Sequence, residues 1–344
     1  MRPGLRLAIT ALAAVVAALL VPAARAGANE AGEGAPIYVI GDLHGDYDAY
    51  VAILTKAGLI DDRLRWAGGE ATLVQLGDIP DRGPHPRRII DHLRRLERQA
   101  ARSGGQVIPM IGNHEAMNVT ADLRYVTAAE YEEFRTRGSE RLQDRLFAAN
   151  RARFAVTVRE RDPDATDAEV RAAFDAAYPL GYVEHRRAWE PDGEIGRWVL
   201  GNVAVRVIDG TLFVHGGMSR LYADMTPEEI NAAVHEALRT DPFAPILTTP
   251  QSPLWYRGNT RPTEESAAEV EAVLEAFGAR RIVVGHTPAL DGIRTLHGGR
   301  VIVVDTGISA FYGGTRSFLR IDGDRVTAVD DGVARALPRG GDQE

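Results

Sequence analysis

One local device recurs along the chain: a short aliphatic or β-branched run stops abruptly at glycine, aspartate, asparagine or histidine. "IYVI" (Ile37–Ile40) runs into Gly41, Asp42 and His44, and "TLVQL" (Thr72–Leu76) into Gly77 and Asp78. "QVIPMIG" (Gln106–Gly112) runs into Asn113 and His114; later "LFV" precedes His215 and "IVV" precedes Gly285 and His286. Apolar runs this short, bounded by turn residues, read as buried strands. Asp48–Ala57 and Pro84–Ala101 lie between the first three and carry helical spacing, the second with Ile89, Ile90, Leu93 and Leu96 on one face. Strand, helix, strand, helix, strand predicts an α/β chain with parallel pairing. Such a sheet gathers functional groups at the carboxyl ends of its strands.

Residues 120–190 break the alternation. They are rich in Arg, Glu, Asp and Ala, and read as a mostly helical insertion whose charge run is a solvated face. The β pattern resumes at Val203–Gly217, two runs joined by Asp209-Gly210, a hairpin signal. Helices are expected at Pro227–Arg239 and Thr263–Phe277, then strands in Arg281–Pro288, Val301–Gly307 and Ser317–Val329. The domain is therefore expected over 37–330, followed by a tail at 331–344.

The N-terminus has its own pattern. Arg2 and Arg6 precede an apolar run, Leu7–Val21, and "ARA" (Ala24–Ala26) offers small residues at a cleavage point. Residues 1–26 read as a secretory signal peptide and 27–36 as a flexible lead-in, which predicts a periplasmic or secreted protein without a retained membrane anchor. A formal charge of -8 argues against a general nucleic-acid or anionic-membrane surface role. The chain has no cysteine, which excludes disulfides, thiolate metal sites and a Cys nucleophile.

Aspartate, asparagine and histidine converging on one sheet edge suit borderline divalent ions. A carboxylate can bridge two such ions about 3.5–4 Å apart and set up phosphate-ester hydrolysis. Each piece also has a plainer reading. Asp42 could cap a helix, Arg82 could sit in a surface ion pair, and His215 and His286 could be hydrogen-bonded core histidines. Five such strand ends in one chain favour ligation. Glu115 is expected to support the site rather than react. Asp305 either supports His286 or makes a turn. His85, His92, His185, His235 and His297 are expected to be ordinary surface or helix histidines.

"GDLHG" (Gly41–Gly45), "GDIPDRG" (Gly77–Gly83), "GNHE" (Gly112–Glu115), "HGG" (His215–Gly217) and "GHT" (Gly285–Thr287) occur in that order. The set resembles the calcineurin-like metallophosphoesterases, specifically their phosphoprotein phosphatase branch. With "LWYRG" and "VDTGIS" it looks most like the Shewanella-like protein phosphatases. The resemblance implies a four-layered α/β/β/α fold and two divalent ions, Mn first and Fe or Zn as alternatives. One ion would be held by Asp42, His44 and Asp78, the other by Asp78, Asn113, His215 and His286. It further implies in-line attack by a metal-bridging hydroxide. Arg82 would clamp phosphate oxygens, and His114, oriented by Asp81, would protonate the leaving oxygen. Arg257 is a second expected phosphate contact, and Tyr312 lies near the site by analogy. "GDIPDRG" departs from the eukaryotic pattern at Ile79-Pro80, which leaves substrate transfer from those enzymes open.

The expected activity is hydrolysis of phosphomonoesters, on phosphoserine, phosphothreonine or phosphotyrosine of proteins. A dinucleoside polyphosphate or other small phosphate ester is the alternative substrate. A non-catalytic phospho-binding adaptor is the third reading; it predicts lost ligands, and none is lost.

Overall fold

Period-two patterning sets the layering. The structure, a computed structural model, describes residues 34–338; the expected signal peptide lies outside them. The strands are β1 (Ile37–Ile40), β2 (Thr72–Gln75), β3 (Gln106–Pro109), β4 (Val205–Ile208), β5 (Thr211–Val214), β6 (Arg281–Val284), β7 (Arg294–Leu296), β8 (Val301–Val303), β9 (Ser317–Asp322), β10 (Arg325–Asp330) and β11 (Val333–Ala336). They form two sheets, ordered β11-β10-β9-β1-β2-β3 and β4-β5-β6-β8-β7. β1, β2 and β3 pair in parallel, as do β5, β6 and β8.

Alternate residues of each strand face opposite ways. Ile37, Val39, Val74, Phe213, Val283, Ile302, Leu319 and Ile321 form one core cluster, drawn from both sheets. Their neighbours Ile40, Leu73, Leu212, Val214, Ile282, Val284, Val301 and Val303 belong to a second cluster shared with helices. Both faces of each sheet are thus covered, which gives the expected α/β/β/α layering.

The helices are α1 (Tyr47–Lys56), α2 (Pro86–Arg102), α3 (Asn113–Val119), α4 (Ala128–Glu133), α5 (Ser139–Arg159), α6 (Asp167–Ala177), α7 (Tyr182–Trp189), α8 (Glu194–Val199), α9 (Pro227–Thr240), α10 (Pro245–Thr248) and α11 (Glu264–Ala276). α2 starts with Pro86 at its first turn, where the missing N–H costs nothing, and buries Ile89, Ile90, Leu93 and Leu96. The insertion is helical as expected, α4 to α8, but runs to Val199 rather than residue 190. Phe147, Phe154, Phe174 and Tyr178 hold α5 to α6 through edge-on and tilted ring contacts.

The expected tail at 331–344 needs correction. Asp331 and Gly332 turn the chain at φ 45° and 85°, and β11 pairs antiparallel with β10. All of β11 is exposed, so no alternation marks it. Its only sequence signal is an Asp-Gly turn like that at Asp209-Gly210, where φ is 47° and 70°.

Candidate metal centre

The site is built from the chain segments that leave β1, β2, β3, β5 and β6. Backbone bonds stitch the first two together: Leu43 and His44 N–H donate to the Asp78 carbonyl at 3.0 Å, and Gly45 N–H to Ile79 at 2.8 Å. The loops lie so close that a Cβ on Gly83 would sit 2.0 Å from the His44 carbonyl oxygen. Five of the site residues that are not glycine have left-handed backbone: His44, Asp78, Asp81, Arg82 and His286. Strain of this kind costs about 1–3 kcal/mol per residue and gathers where surroundings over-determine a functional geometry.

Two of the imidazoles are aimed by a second contact. His44 Nδ1 bonds the Pro80 carbonyl (3.1 Å), and His215 Nδ1 the Leu76 carbonyl (2.8 Å). Fixing Nδ1 turns Nε2 toward the centre, as in metal-binding histidines. His215 Nε2 lies 3.3 Å from Asp78 Oδ1 and 3.0 Å from Asn113 Oδ1. His286 Nε2 is buried without a hydrogen-bond partner, and its ring is wedged between His215 and Trp255, with centroids at 5.0 and 5.5 Å.

Two groups have ligating atoms within 4.8 Å of one another: His44, Asp78 and His114, and Asp78, His215 and His286. Asp78 is common to both, as expected of a bridge. Asp42 joins neither close group. Its oxygens both lie 3.2 Å from the His286 backbone nitrogen, which donates to them. Glu115 accepts from the N–H groups of Asp78, Ile79 and Gly112 at 2.8 Å each, the supporting role expected. Burial, joined by repulsion from Asp78, lifts the Asp305 carboxyl to about 6 although hydrogen bonds from the Gly307 N–H and with Asp42 work against the rise; it supports Asp42 rather than His286.

The electrostatics argue for cations. Asp42, Asp78, Glu115 and Asp305 are all buried. Burial, joined by repulsion from Asp305, raises Asp42 well above the usual carboxylate range; burial and Asp78 push Glu115 to about 7. Burial opposes charge on His215, yet Asp78 and Asp42 outweigh it and lift the imidazole to about 10. A proton on His215 thus answers part of an excess of negative charge that divalent ions would answer better, releasing it on binding. The orphaned His286 nitrogen, the aimed imidazoles and this charge deficit all fit a divalent metal site.

The remaining expected residues lie against the donor residues. His114 Nδ1 makes a short bond with Asp81, its Nε2 lies 3.8 Å from Asp78 Oδ2, and Tyr125 packs on its ring at 5.1 Å. Burial opposes its protonation, but Asp78 and Asp81 outweigh it and raise its pKa. Arg82 donates to His44 Nε2 (2.8 Å) and contacts the Tyr312 hydroxyl. Its guanidinium lies 5.1, 5.6 and 5.0 Å from the ring centres of Tyr125, Phe311 and Tyr312. Arg257 enters through the His286 carbonyl, at 3.0 Å.

His92 on α2 and His185 on α7 are helix histidines, as expected, and both are buried. His185 packs against Tyr131, Phe134 and Trp189 inside the insertion. Sequence reasoning missed Tyr125, Asn118 and Glu130. Asn118 donates to Asp81 Oδ1 at 3.0 Å, and its spacing of four from His114 on α3 was the available signal. Glu130, inside the supposed solvated face, is fully buried.

The calcineurin-like phosphoesterase family model matches residues 35–290. Shewanella-like protein phosphatase 2 of Arabidopsis thaliana is 32% identical over 291 residues, covering 79% of this chain and 71% of the relative. An uncharacterised Schizosaccharomyces pombe protein is 30% identical, covering 87% and 81%. The crystal structure of a cold-active protein-tyrosine phosphatase from a psychrophilic Shewanella superposes with a TM-score of 0.67 at 27% identity, covering 88% and 80%. Family match, relatives and pocket agree: the chain belongs to the calcineurin-like phosphoesterases and is a phosphoric ester hydrolase, with Shewanella-like protein phosphatases among its relatives.

Proposed function

We propose that the protein is an exported, dinuclear-metal phosphatase that hydrolyses phosphomonoesters on proteins, with phosphotyrosine the favoured class. The observation that carries this is the convergence of the donor side chains, Arg82 and His114 Nε2 on one buried, carboxylate-rich centre. Asp42, His44 and Asp78 would hold one ion; Asp78, Asn113, His215 and His286 would hold the other. When bound, the ions supply Lewis acidity to the phosphoryl oxygens and lower the pKa of a water.

The chain's own groups do the rest. Arg82 offers a planar fork that fits two phosphate oxygens, and the surrounding rings limit its swing. Arg257 adds positive charge beside His286. His114 keeps its Nδ1–H on Asp81, so the proton it gives to the leaving oxygen is the one on Nε2. Tyr125 and Phe311 are 40% and 64% exposed, so an aromatic rim surrounds the guanidinium. Such a rim suits an aryl ester, and the Shewanella neighbour at 27% identity is a protein-tyrosine phosphatase. Export rests on the pattern of residues 1–26.

The test uses residues 27–344 with added Mn²⁺ on matched phosphotyrosine, phosphoserine and phosphothreonine peptides, with dinucleoside tetraphosphate alongside. Metal-dependent turnover of phosphotyrosine above the others is expected. Turnover of the dinucleotide alone overturns the protein substrate, and equal peptide rates overturn the aryl preference. Mass measurement of the exported product, expected to begin at Gly27, checks the cleavage.

A further inference from the structure

We propose that Glu130, delivered by the helical insertion, is a positioning residue for the His114–Asp81 pair and for Arg82; this deepens the reading of His114 as the acid and rests on it. Asp81 and Arg82 are consecutive residues with left-handed backbone, φ 72° and 66°. For residues with a Cβ that conformation costs about 1–2 kcal/mol each, so outside contacts must hold it.

The insertion supplies acceptors for the two backbone N–H groups, and α3, braced by the insertion, a side-chain donor. Asp81 N–H donates to Glu130 Oε2 at 3.0 Å. Arg82 N–H donates to the Tyr125 carbonyl at 3.1 Å. Asn118 fixes the Asp81 carboxylate, and Arg186 Nη1 donates to the Asn118 carbonyl at 2.6 Å.

Glu130 is buried completely, and its other oxygen lies 3.4 Å from His185 Nε2. Burying a carboxyl is costly unless it is bonded, and both contacts of this one serve the turn or the histidine behind it. If the turn relaxed, the Asp81 carboxylate would leave His114 Nδ1. The imidazole would then lose the contact that sets its tautomer and its aim.

E130A removes the acceptor. Proton delivery matters most for a poor leaving group. On an alkyl phosphate, E130A should therefore lose about ten- to a hundredfold more kcat than on p-nitrophenyl phosphate, as supporting contacts of this kind usually cost. The ratio of the two rates does not depend on how much enzyme is folded. E130Q keeps an acceptor for Asp81 N–H and offers a donor to His185, so its ratio should return to within about twofold of wild type. Equal losses on both esters, or no rescue by E130Q, overturn the proposal. E130M, of similar volume, carries the same test if E130A does not fold.

A second readout needs no turnover. The strongly downfield proton of His114 Nδ1–H on Asp81, read by NMR, should persist in wild type and E130Q and be lost in folded E130A or E130M. An unchanged resonance in the variant overturns the positioning role. If the wild type hydrolyses neither ester, the functional reading fails, and this resonance still decides Glu130.

Discussion

The histidines near the centre are held by different materials. His44 and His215 are fixed by carbonyls of the sheet edge, Pro80 and Leu76. His114 is fixed by side chains: Asp81 directly, then Asn118 and Glu130 behind it. The first arrangement comes with the fold, since any sequence folding this way presents those carbonyls. The second depends on the insertion and can be changed there without disturbing the strands. Metal-donor geometry is thus tied to the scaffold, and acid geometry to an accessory element.

The largest effect should come from the scaffold side. Asp78 is common to both donor groups, and its pKa is held well below the usual range, burial notwithstanding, by His215 and His114. D78N, or chelation, removes several kcal/mol of transition-state stabilisation, or roughly a thousandfold in rate. The loss should be equal on alkyl and aryl esters, with metal content falling in parallel. Restoration of the chelated wild type by Mn²⁺ completes the check; a D78N protein that keeps full metal and turnover removes the bridge assignment.

The acid side should break differently. H114N leaves the Asp42, His44, Asp78, Asn113, His215 and His286 set intact, so metal content should stay near wild type. Turnover of an alkyl phosphate should fall by about a hundredfold or more, and of p-nitrophenyl phosphate far less. Metal loss in H114N would join His114 to the ligands, a possibility its placement with His44 and Asp78 makes worth excluding.

The same division explains what could be read from the sequence. The donors announce themselves because a buried strand must end in a turn, and the turn residues of the strand ends quoted above are the ones that meet at the centre. Layering followed from the runs alone only as far as "α/β"; the second sheet's edge strand β7 and the strand β11 were too short or too exposed to show a period. Glu130 was invisible for another reason. It sits among Glu132, Glu133 and Arg135, and a charged residue that turns inward looks like its solvated neighbours until the fold supplies a partner. Asp305 reads from the sequence as support for His286 or as turn chemistry; the Gly307 N–H does donate to it at 3.0 Å, and its bond with Asp42 exists only in the tertiary fold.

A smaller effect concerns the insertion's stability. Burial lifts Glu130 well above its ordinary 4.5, with Asp81 adding to it, and lowers His185 from 6.5 to about 3, with Arg186 adding to it. Both are therefore neutral when folded. Between pH 4.5 and 6.5 the folded pair holds one proton on the carboxyl and the unfolded chain holds one on the imidazole, so this pair gives no slope. Above 6.5 the unfolded chain holds none, and stability should fall with rising pH by about 1.4 kcal/mol per unit until Glu130 ionises. E130Q removes that fall. Urea midpoints of wild type and E130Q across pH 6.5–8.5 should converge as pH drops; parallel lines would mean that Glu130 is charged in the folded protein.

The smallest effect should come where both regions meet. The aromatic rim takes Tyr125 from the insertion side and Phe311 and Tyr312 from the connection between β8 and β9. Phe311 touches Arg82 and Tyr312 and is largely exposed, so F311A removes a ring and little else. An aromatic contact contributes about 0.5–1.5 kcal/mol beyond area, which predicts a two- to tenfold loss of kcat/KM on phosphotyrosine peptide and almost none on phosphoserine. Tyr125 also packs on His114 and accepts the Arg82 N–H through its carbonyl. Y125A keeps the carbonyl but frees the imidazole, so it should weaken phosphoserine turnover as well. Equal effects of the two variants on both peptides would mean that the rim acts on Arg82 alone and does not read the leaving group.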